Sequence, residues 1–385
     1  MRLLIASVLL IAACAAPVAS EPTLAVTSLS TPTPAPAFPS ATVVATPAAT
    51  FAATLTPTGS PVGSPTASPS ATATPTATPV GSPTLIPLPS TAVLSAPSGS
   101  VVWAVVAGDH LFRSLDRGST WESRPWPAGG PAIRGTDGFS ASFVDEREGW
   151  LLKTGQPTTG CQQQDYELWH TSDAATTWTK LSPEIRPDTF VGGPLFGGCK
   201  GAITFADPLR GMVASTARDT PTSVQRTADG GKTWSESVAL PAPPGFNLNS
   251  NGDYGVQPGR PRWFGSTVLV DAQGLVSGQL QRFVYRSVDA GATWTIVGAT
   301  PGAVGAFVAA TAARWLQIIS PGQDQETTDG GASWHRYASD YAQAAPIAPF
   351  IVFGDPNVGY ATVRGAIQRT LDGGGHWATI KTPGT

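Results

Sequence analysis

A short turn motif that occurs six times constrains the fold of this chain more than any other feature of its sequence. The pattern is Ser/Thr-x-Asp-x-Gly-x-Thr-Trp, as in Thr227–Trp234. An Asp carboxylate at the start of a tight turn accepts hydrogen bonds from the backbone N–H groups that follow, and Gly supplies the positive φ where the chain reverses. The Asp and Trp residues of the six copies are Asp116 and Trp121, Asp173 and Trp178, Asp229 and Trp234, Asp289 and Trp294, Asp329 and Trp334, and Asp372 and Trp377.

Segments with strand-forming residues precede most of these turns, and the Trp opens the segment that follows. Aromatic and β-branched residues favour strands, and a Trp ring buries a large area when a neighbouring unit covers it. Each copy therefore predicts a β-hairpin whose Trp packs against the next unit. The preceding segments are His110–Arg113, Glu167–His170, Val224–Arg226, Phe283–Arg286 and Ile367–Arg369.

The motif resembles the Asp box, or BNR repeat, of sialidase-like, sortilin-like and photosystem II assembly factor-like β-propellers. Three copies depart from the pattern at one position each: Ala175 replaces Gly, and Ser333 and His376 replace Thr. Only the missing Gly affects backbone freedom, so we expect the turn at Ala175 to be the more strained. In the sialidase family the boxes are structural, so the resemblance predicts a fold and carries no information about enzymatic activity.

The start of the chain is predicted to be an export signal. An apolar run follows Arg2 and is too short to span a bilayer. Leu10–Cys14 resembles the lipobox of bacterial lipoproteins, which predicts a signal peptide at 1–13, a lipid on Cys14 and a location on the extracytoplasmic face of the cell membrane. The alternative is ordinary signal cleavage beside a cysteine present by chance. From 14 to 90 the chain is rich in Pro, Thr, Ser and Ala, which predicts a disordered linker.

The remaining segment, 91–385, is predicted to be an all-β domain. Its units repeat one order of strands, for example Ala141–Val144, Gly149–Lys153, Glu167–His170 and Thr177–Leu181. Four-stranded antiparallel units around an axis form a β-propeller, and six motif copies predict six blades. A seventh, degenerate blade is the alternative, because related families include seven-bladed members. In this scheme Cys161 and Cys199 lie in loops on one face, opposite the Asp boxes, and are predicted to form a disulfide.

Several classes of function are disfavoured by the composition. The formal net charge is −3 without a basic cluster, which argues against nucleic acid as a partner. The four histidines have no metal-ligand spacing, and no phosphate-binding or nucleophile motif occurs, so we predict no metal and no cofactor. We expect a monomer. The Asp145–Glu148 turn is acidic enough to suggest calcium, but a solvated turn is the simpler interpretation.

Two functions remain open. The first is a non-catalytic binding or assembly module for a protein or a glycan. Its predicted surface lies opposite the Asp boxes and is centred on the long connection from Pro241 to Phe264. The alternative is an exo-glycosidase of sialidase type, but no Arg precedes the first box where that family places one. Arginines mixed with aromatics suit an interface, and the candidate binding residues are Arg134, Arg186, Tyr254, Arg260, Arg262 and Trp263.

Overall fold

The computed structural model describes residues 92–383 except 128–135, 183–194, 196, 217–220, 250–254, 320–321, 342–349 and 364–365. The described strands form six antiparallel sheets, and each sheet is built from strands consecutive in the chain. This arrangement confirms the prediction of an all-β, six-bladed propeller. The predicted signal peptide, Cys14 and the linker lie outside the described residues. The described residues contain no α-helix, and a 3-10 turn spans Thr159–Cys161.

Five blades have four strands, and the fourth blade has an interrupted inner strand. Blade 1 contains β1 (Ala92–Ser95), β2 (Val102–Val106), β3 (His110–Ser114) and β4 (Glu122–Arg124); blade 2 contains β5 (Thr136–Phe143), β6 (Gly149–Gly155), β7 (Tyr166–Thr171) and β8 (Thr179–Lys180); blade 3 contains β9 (Cys199–Phe205), β10 (Gly211–Thr216), β11 (Val224–Thr227) and β12 (Ser235–Glu236). Blade 4 contains β13 (Gln257–Pro258), β14 (Arg262–Phe264), β15 (Thr267–Val276), β16 (Gln279–Ser287) and β17 (Thr295–Ala299). Blade 5 contains β18 (Ala306–Ala309), β19 (Trp315–Ile318), β20 (Gln325–Thr327) and β21 (His335–Arg336), and blade 6 contains β22 (Ile351–Phe353), β23 (Gly359–Val363), β24 (Ala366–Thr370) and β25 (Ala378–Ile380).

The antiparallel order gives the ring two distinct faces. Turns between the first and second strands of a blade lie at the same end as the repeated turns, which join the third and fourth strands. We call this end the repeated-turn face. The connections between second and third strands and between successive blades lie at the other end, which we call the loop face.

Each repeated turn satisfies its own polar groups. In the third copy, Thr227 Oγ1 donates to Asp229 Oδ1 over 2.8 Å, Thr233 N donates to the same oxygen over 2.9 Å, and Gly231 N donates to Thr227 Oγ1 over 2.9 Å. The Thr233 hydroxyl donates to Asp229 Oδ2. In the last copy His376 replaces this Thr, and its backbone N–H reaches both carboxylate oxygens of Asp372, at 3.0 and 3.2 Å. The motif therefore fixes the hairpin corner locally.

The second copy holds two alanines in the left-handed region. Ala174 has a φ of 62° and Ala175 a φ of 60°, where the third copy has Gly230 and Gly231. A left-handed L-residue costs about 1 to 2 kcal/mol. The Ala175 methyl is fully buried in the cluster between blades 1 and 2 with Leu111, and its burial offsets part of that cost.

The repeated-turn carboxylates make folding sensitive to acid. Hydrogen bonds from Thr177 lower the pKa of Asp173 to about 2, and hydrogen bonds from Ser333 lower the pKa of Asp329 to about 2. A carboxyl group with a lowered folded-state pKa stabilises the fold above its ordinary pKa, and that contribution is lost as pH falls towards the folded value. We expect the melting temperature to be level near neutrality and to fall progressively between about pH 4 and pH 2. Calorimetry across that range tests this, and an Asp329→Asn variant with an unchanged acid slope would contradict it.

Aromatic stacks between neighbouring blades form much of the core. Trp103 on β2 stacks on Phe143 of blade 2 with ring centroids 3.8 Å apart, and Trp150 on β6 stacks on Phe205 of blade 3 at 3.6 Å. The Trp of the repeated turn meets the same Phe edge-on, as Trp234 does with Phe205 at 6.2 Å. A Phe on an inner strand thus lies between a ring of the preceding blade and the motif Trp of its own blade, which explains why the motif needs a large aromatic residue.

Side-chain hydroxyls link the inner strands around half of the ring. Ser95 Oγ accepts from Phe143 N at 2.9 Å, and Ser142 Oγ accepts from Phe205 N at 2.9 Å. Thr204 Oγ1 accepts from Trp263 Nε1 at 3.2 Å. Inner strands are sheet edges whose backbone groups need partners, so these hydroxyls satisfy part of the edge and align blades 1 to 4.

Side chains join the last blade to the first. Trp121 Nε1 donates to Lys381 O over 2.7 Å, and an Arg369 guanidinium donates to Arg117 O over 2.8 Å. The fully buried Tyr360 packs with Leu94 and Val102 in one cluster. The ring therefore closes by packing and side-chain contacts, with each sheet complete in itself. Among the described residues no helix has the length and apolar character needed to cross a membrane.

Candidate functional site

The six inner strands surround a channel with a cavity at each end. The larger cavity, about 490 Å³, opens on the repeated-turn face and is lined by the last residues of the inner strands, such as Ser142 and Thr204. The smaller cavity, about 260 Å³, opens on the loop face beside the first residues of those strands, such as Lys200. Arg260 lines both cavities, so its side chain lies between the two ends.

The inner strand of blade 4 differs from the others because Arg260 interrupts it. β13 and β14 both pair with β15, and Gly259–Pro261 lies between them. Pro261 has no N–H to give to a ladder, so it is tolerated only at such an edge. A side chain at position 259 would collide with the Asp271 carboxylate, so glycine is required there. The interruption directs two arginines towards the channel.

The sequence interpretation placed Arg260, Arg262 and Trp263 in a blade connection on the face opposite the Asp boxes. That placement is wrong: Arg262 and Trp263 lie on β14, and all three residues line the cavity on the repeated-turn face. The physical reason is that 257–264 forms the inner edge of blade 4. Its arginines therefore face the channel and do not lie in a loop at the rim of the propeller.

Both guanidinium groups donate to inner-strand carbonyls across the channel. Arg260 Nη2 donates to Ala141 O over 2.5 Å and lies 3.4 Å from Ile203 O, which connects blade 4 to blades 2 and 3. Arg262 Nη2 donates to Ile351 O of blade 6 over 3.3 Å. The Arg260 guanidinium also lies 5.4 Å from the centre of the Phe350 ring. These contacts hold the two positive charges inside the ring.

The channel carries more positive than negative charge. Burial, and next the like charge of Arg262, lowers the pKa of Arg260 to about 9, so this group is still charged at neutral pH. Burial also lowers the pKa of Arg262, opposed by the Asp271 carboxylate. Burial raises the pKa of Asp271, while Arg282, whose Nε lies 3.4 Å from Asp271 Oδ2, acts in the opposite direction. Both channel arginines remain partly exposed.

A buried lysine lies at the loop-face end of the channel, and the sequence interpretation missed it. Lys200 Nζ donates to the carbonyl oxygens of Gln164, Gly197 and Gly198 at 3.1 to 3.2 Å. Burial lowers the pKa of Lys200 to about 8. Its three donors are used within the protein, so its role is to hold two loops together. The only sign of this buried lysine in the sequence was its position directly after Cys199.

The structure joins Cys161 and Cys199 in a disulfide whose Cα atoms are 5.0 Å apart. Cys161 ends the 3-10 turn in the loop between β6 and β7, and Cys199 opens β9. The bond lies beside Lys200, at the loop face. Of the other predicted residues, Arg134, Arg186 and Tyr254 lie outside the described residues.

Few acidic groups face the larger cavity. Among its described lining residues Asp355 is the one carboxylate, and its Oδ1 accepts from Asn357 N at 2.8 Å and from Val358 N at 2.7 Å. This carboxylate therefore caps a turn. The described part of the chain contains no group of three His, Cys, Asp or Glu side chains placed to hold a metal ion.

No family model matches the chain. A xyloglucanase from a Paenibacillus species is 30% identical over 156 residues, which are 37% of this chain and 14% of that relative. This chain thus spans about a seventh of the curated relative's length. YCF48 bound to D1 peptide is 19% identical with a TM-score of 0.41, over 74% of this chain and 95% of that one. The Hadza microbial sialidase Hz136 is 12% identical with a TM-score of 0.44, over 75% of this chain and 65% of that one.

Proposed function

We propose that the protein is a lipid-anchored propeller on the extracytoplasmic face of a bacterial membrane that binds a protein or a glycan without catalysing a reaction. The observation that carries the binding role is the pair of arginines in the channel. Each donates to a backbone carbonyl on another blade, and together they place two positive charges beside the 490 Å³ cavity, against one lining carboxylate, Asp355. Buried charges are costly unless they are paired, so a partner that supplies negative charge is favoured at this mouth.

The same cavity does not support the glycosidase alternative. Glycoside hydrolases generally use two carboxyl groups, about 5 to 9.5 Å apart, on either side of the scissile bond. Asp355 is the single carboxylate among the described residues that line the larger cavity, and two backbone N–H groups already occupy its Oδ1. No Tyr is among the described lining residues either, so the cavity has neither a carboxyl pair nor the Tyr nucleophile that sialidases use instead.

Two assays on the full chain test the proposal. We expect no hydrolysis of xyloglucan or of a fluorogenic sialoside, because the described lining has neither a carboxyl pair for the first substrate nor a Tyr nucleophile for the second. A partner recovered by glycan array or from membranes is expected to lose at least about 2 kcal/mol of binding free energy when Arg262 becomes Gln. Arg336→Gln is the matched control, since Arg336 is exposed and donates to the single carbonyl of Gly322. Turnover of either substrate, or equal partner binding by the Arg262 variant, would contradict the proposal.

Anchoring is tested at Cys14. The lipobox-like Leu10–Cys14 predicts a diacylated cysteine, and two acyl chains hold a protein on a membrane far more firmly than one. We expect Cys14→Ser to release the protein into the medium or to leave the signal uncleaved. Membrane fractionation and the mass of the mature protein measure this. Unchanged retention of a normally processed Cys14→Ser variant would show that the anchor is elsewhere.

A further inference from the structure

The charges around the channel do not balance among the residues that the structure describes. Around the channel and its mouth on the repeated-turn face lie three arginines, Arg260, Arg262 and Arg282, and two carboxylates, Asp271 and Asp355. Asp271 forms its ion pair with Arg282, whose Nη2 also donates to Gly305 O over 2.9 Å. Two negative charges against three positive charges leave an excess of one positive charge. Guanidinium groups keep their proton at neutral pH, so the protein does not remove this excess by titration.

Several donors at the mouth lack an acceptor. Arg262 uses Nη2 for Ile351 O, and its Nε and Nη1 have no acceptor among the described residues. Arg260 Nη1 is enclosed by protein and is likewise without one. The Ser142 and Thr204 hydroxyls accept from Phe205 N and Trp263 Nε1 respectively, which leaves each hydroxyl proton to be donated. Enclosed donors without acceptors are unfavourable, so the mouth is arranged to give hydrogen bonds.

The size and shape of the larger cavity limit which ligands can enter it. A water molecule takes about 30 Å³ of liquid volume, so a cavity of about 490 Å³ accepts a group as large as one sugar ring or a short peptide segment. The half-buried Trp263 ring supplies an apolar wall beside Arg262. Arginine forks match the oxygens of phosphate and similar oxyanions.

We propose that the channel mouth on the repeated-turn face binds a tetrahedral oxyanion, a phosphate or sulfate ester group, with Arg262 as its direct donor and Arg260 as the second positive charge. This inference rests on the proposed binding function and names its ligand chemistry. Such a group offers three acceptor oxygens to the donors of Arg262, Ser142 and Thr204, whereas a carboxylate offers two. The hydroxyls of Ser142 and Thr204 supply further donors on the side of blades 2 and 3.

The competing explanation is that the arginines are cross-channel struts that only satisfy inner-strand carbonyls. Like the anion-site proposal, it predicts that substituting these arginines changes stability, but it predicts no saturable binding of anions. Isothermal titration of the full chain with sodium sulfate and with sodium phosphate separates the two, with sodium chloride at matched ionic strength as the blank and sodium acetate as the monoanion.

We expect one saturable site for sulfate and phosphate and at least about tenfold weaker binding of acetate. Arg262→Gln keeps a donor but removes the charge, and is expected to weaken both dianions at least tenfold. Arg336→Gln, which alters an exposed arginine with one carbonyl partner, is expected to bind as the wild type does. Arg262→Lys keeps the charge and should retain more affinity than Arg262→Gln, which separates charge from side-chain loss.

The wild-type titration decides the matter even if a variant fails to fold. Absence of saturable dianion binding, acetate binding as tight as sulfate, or unchanged affinity in folded Arg262→Gln would each overturn the inference. Glucose 6-sulfate, glucose 6-phosphate and a phosphoserine tripeptide then identify the carrier, because the correct one should bind about tenfold more tightly than the inorganic ion. Equal binding of all of them supports the site with the free ion as ligand. Sulfate binding without any effect of Arg262→Gln on partner capture would contradict the proposed function and leave the anion site standing.

Discussion

Replacing Trp150 by Ala is expected to lower the free energy of unfolding by about 3 to 5 kcal/mol, because it removes the largest kind of side chain from a fully packed blade interface. Trp150 is fully buried, its ring stacks on Phe205 at a centroid distance of 3.6 Å, and its Nε1 donates to Gly230 O over 2.9 Å. The side chain thus joins blade 2 both to the inner strand and to the repeated turn of blade 3. Urea unfolding followed by tryptophan fluorescence and by circular dichroism measures the change.

Trp150→Phe is the matched control. It keeps a ring to stack on Phe205 but loses the hydrogen bond to Gly230 O, so we expect a loss smaller than that of Trp150→Ala. Trp234 is half-buried, and its replacement by Ala should also cost less than that of Trp150. A loss below about 1 kcal/mol for Trp150→Ala would mean that the blade interface does not depend on this stack.

Removing the Cys161–Cys199 disulfide is expected to cost about 3 to 4 kcal/mol, because the bond closes a loop with a sequence separation of 38 and restricts the unfolded chain. The double variant Cys161→Ser, Cys199→Ser should show this loss in urea unfolding. It should also loosen the loop-face end, where Lys200 binds the carbonyls of Gly197 and Gly198 next to Cys199.

Reduction provides the control for that experiment. A reductant should lower the unfolding midpoint of the wild type and leave the double Ser variant unchanged. A non-reduced tryptic digest of protein exported from its native compartment should contain the linked peptides. Two free thiols in that digest would show that the bond is not formed in the exported protein.

The local parts of the fold could be read from the sequence because their causes are local. Within the eight residues of each motif, the Asp carboxylate, the Ser or Thr hydroxyl and backbone N–H groups satisfy one another, as those of Asp229, Thr227 and Gly231 do. Their regular return gave the number of blades. Ala175 also marked the second copy in the sequence as the more strained one. It stands where the pattern has Gly, whose lack of a Cβ suits the positive φ of this position.

The channel could not be predicted in the same way, since it depends on which side chains six separated segments place around one axis. Arg260 binds carbonyls of residues 57 and 119 positions away. Pro261 and Gly259 made the segment resemble a loop. One signal was available: Arg262–Phe264 stands immediately before the second strand of its blade, where the other units have their inner strand.

The way in which the ring closes affects how the gene for such a chain can evolve. Blades 1 and 6 each complete their own sheet, and the contacts between them come from side chains such as Trp121 and Tyr360. Among the described strands, none from either end of the domain joins the sheet at the other end. A duplication or deletion that runs from one blade connection to the next therefore adds or removes a whole sheet and leaves every remaining ladder intact. A circular permutation that opens the chain at any blade junction likewise keeps each sheet whole. The order of the blades along the gene can therefore change while their order around the ring stays the same.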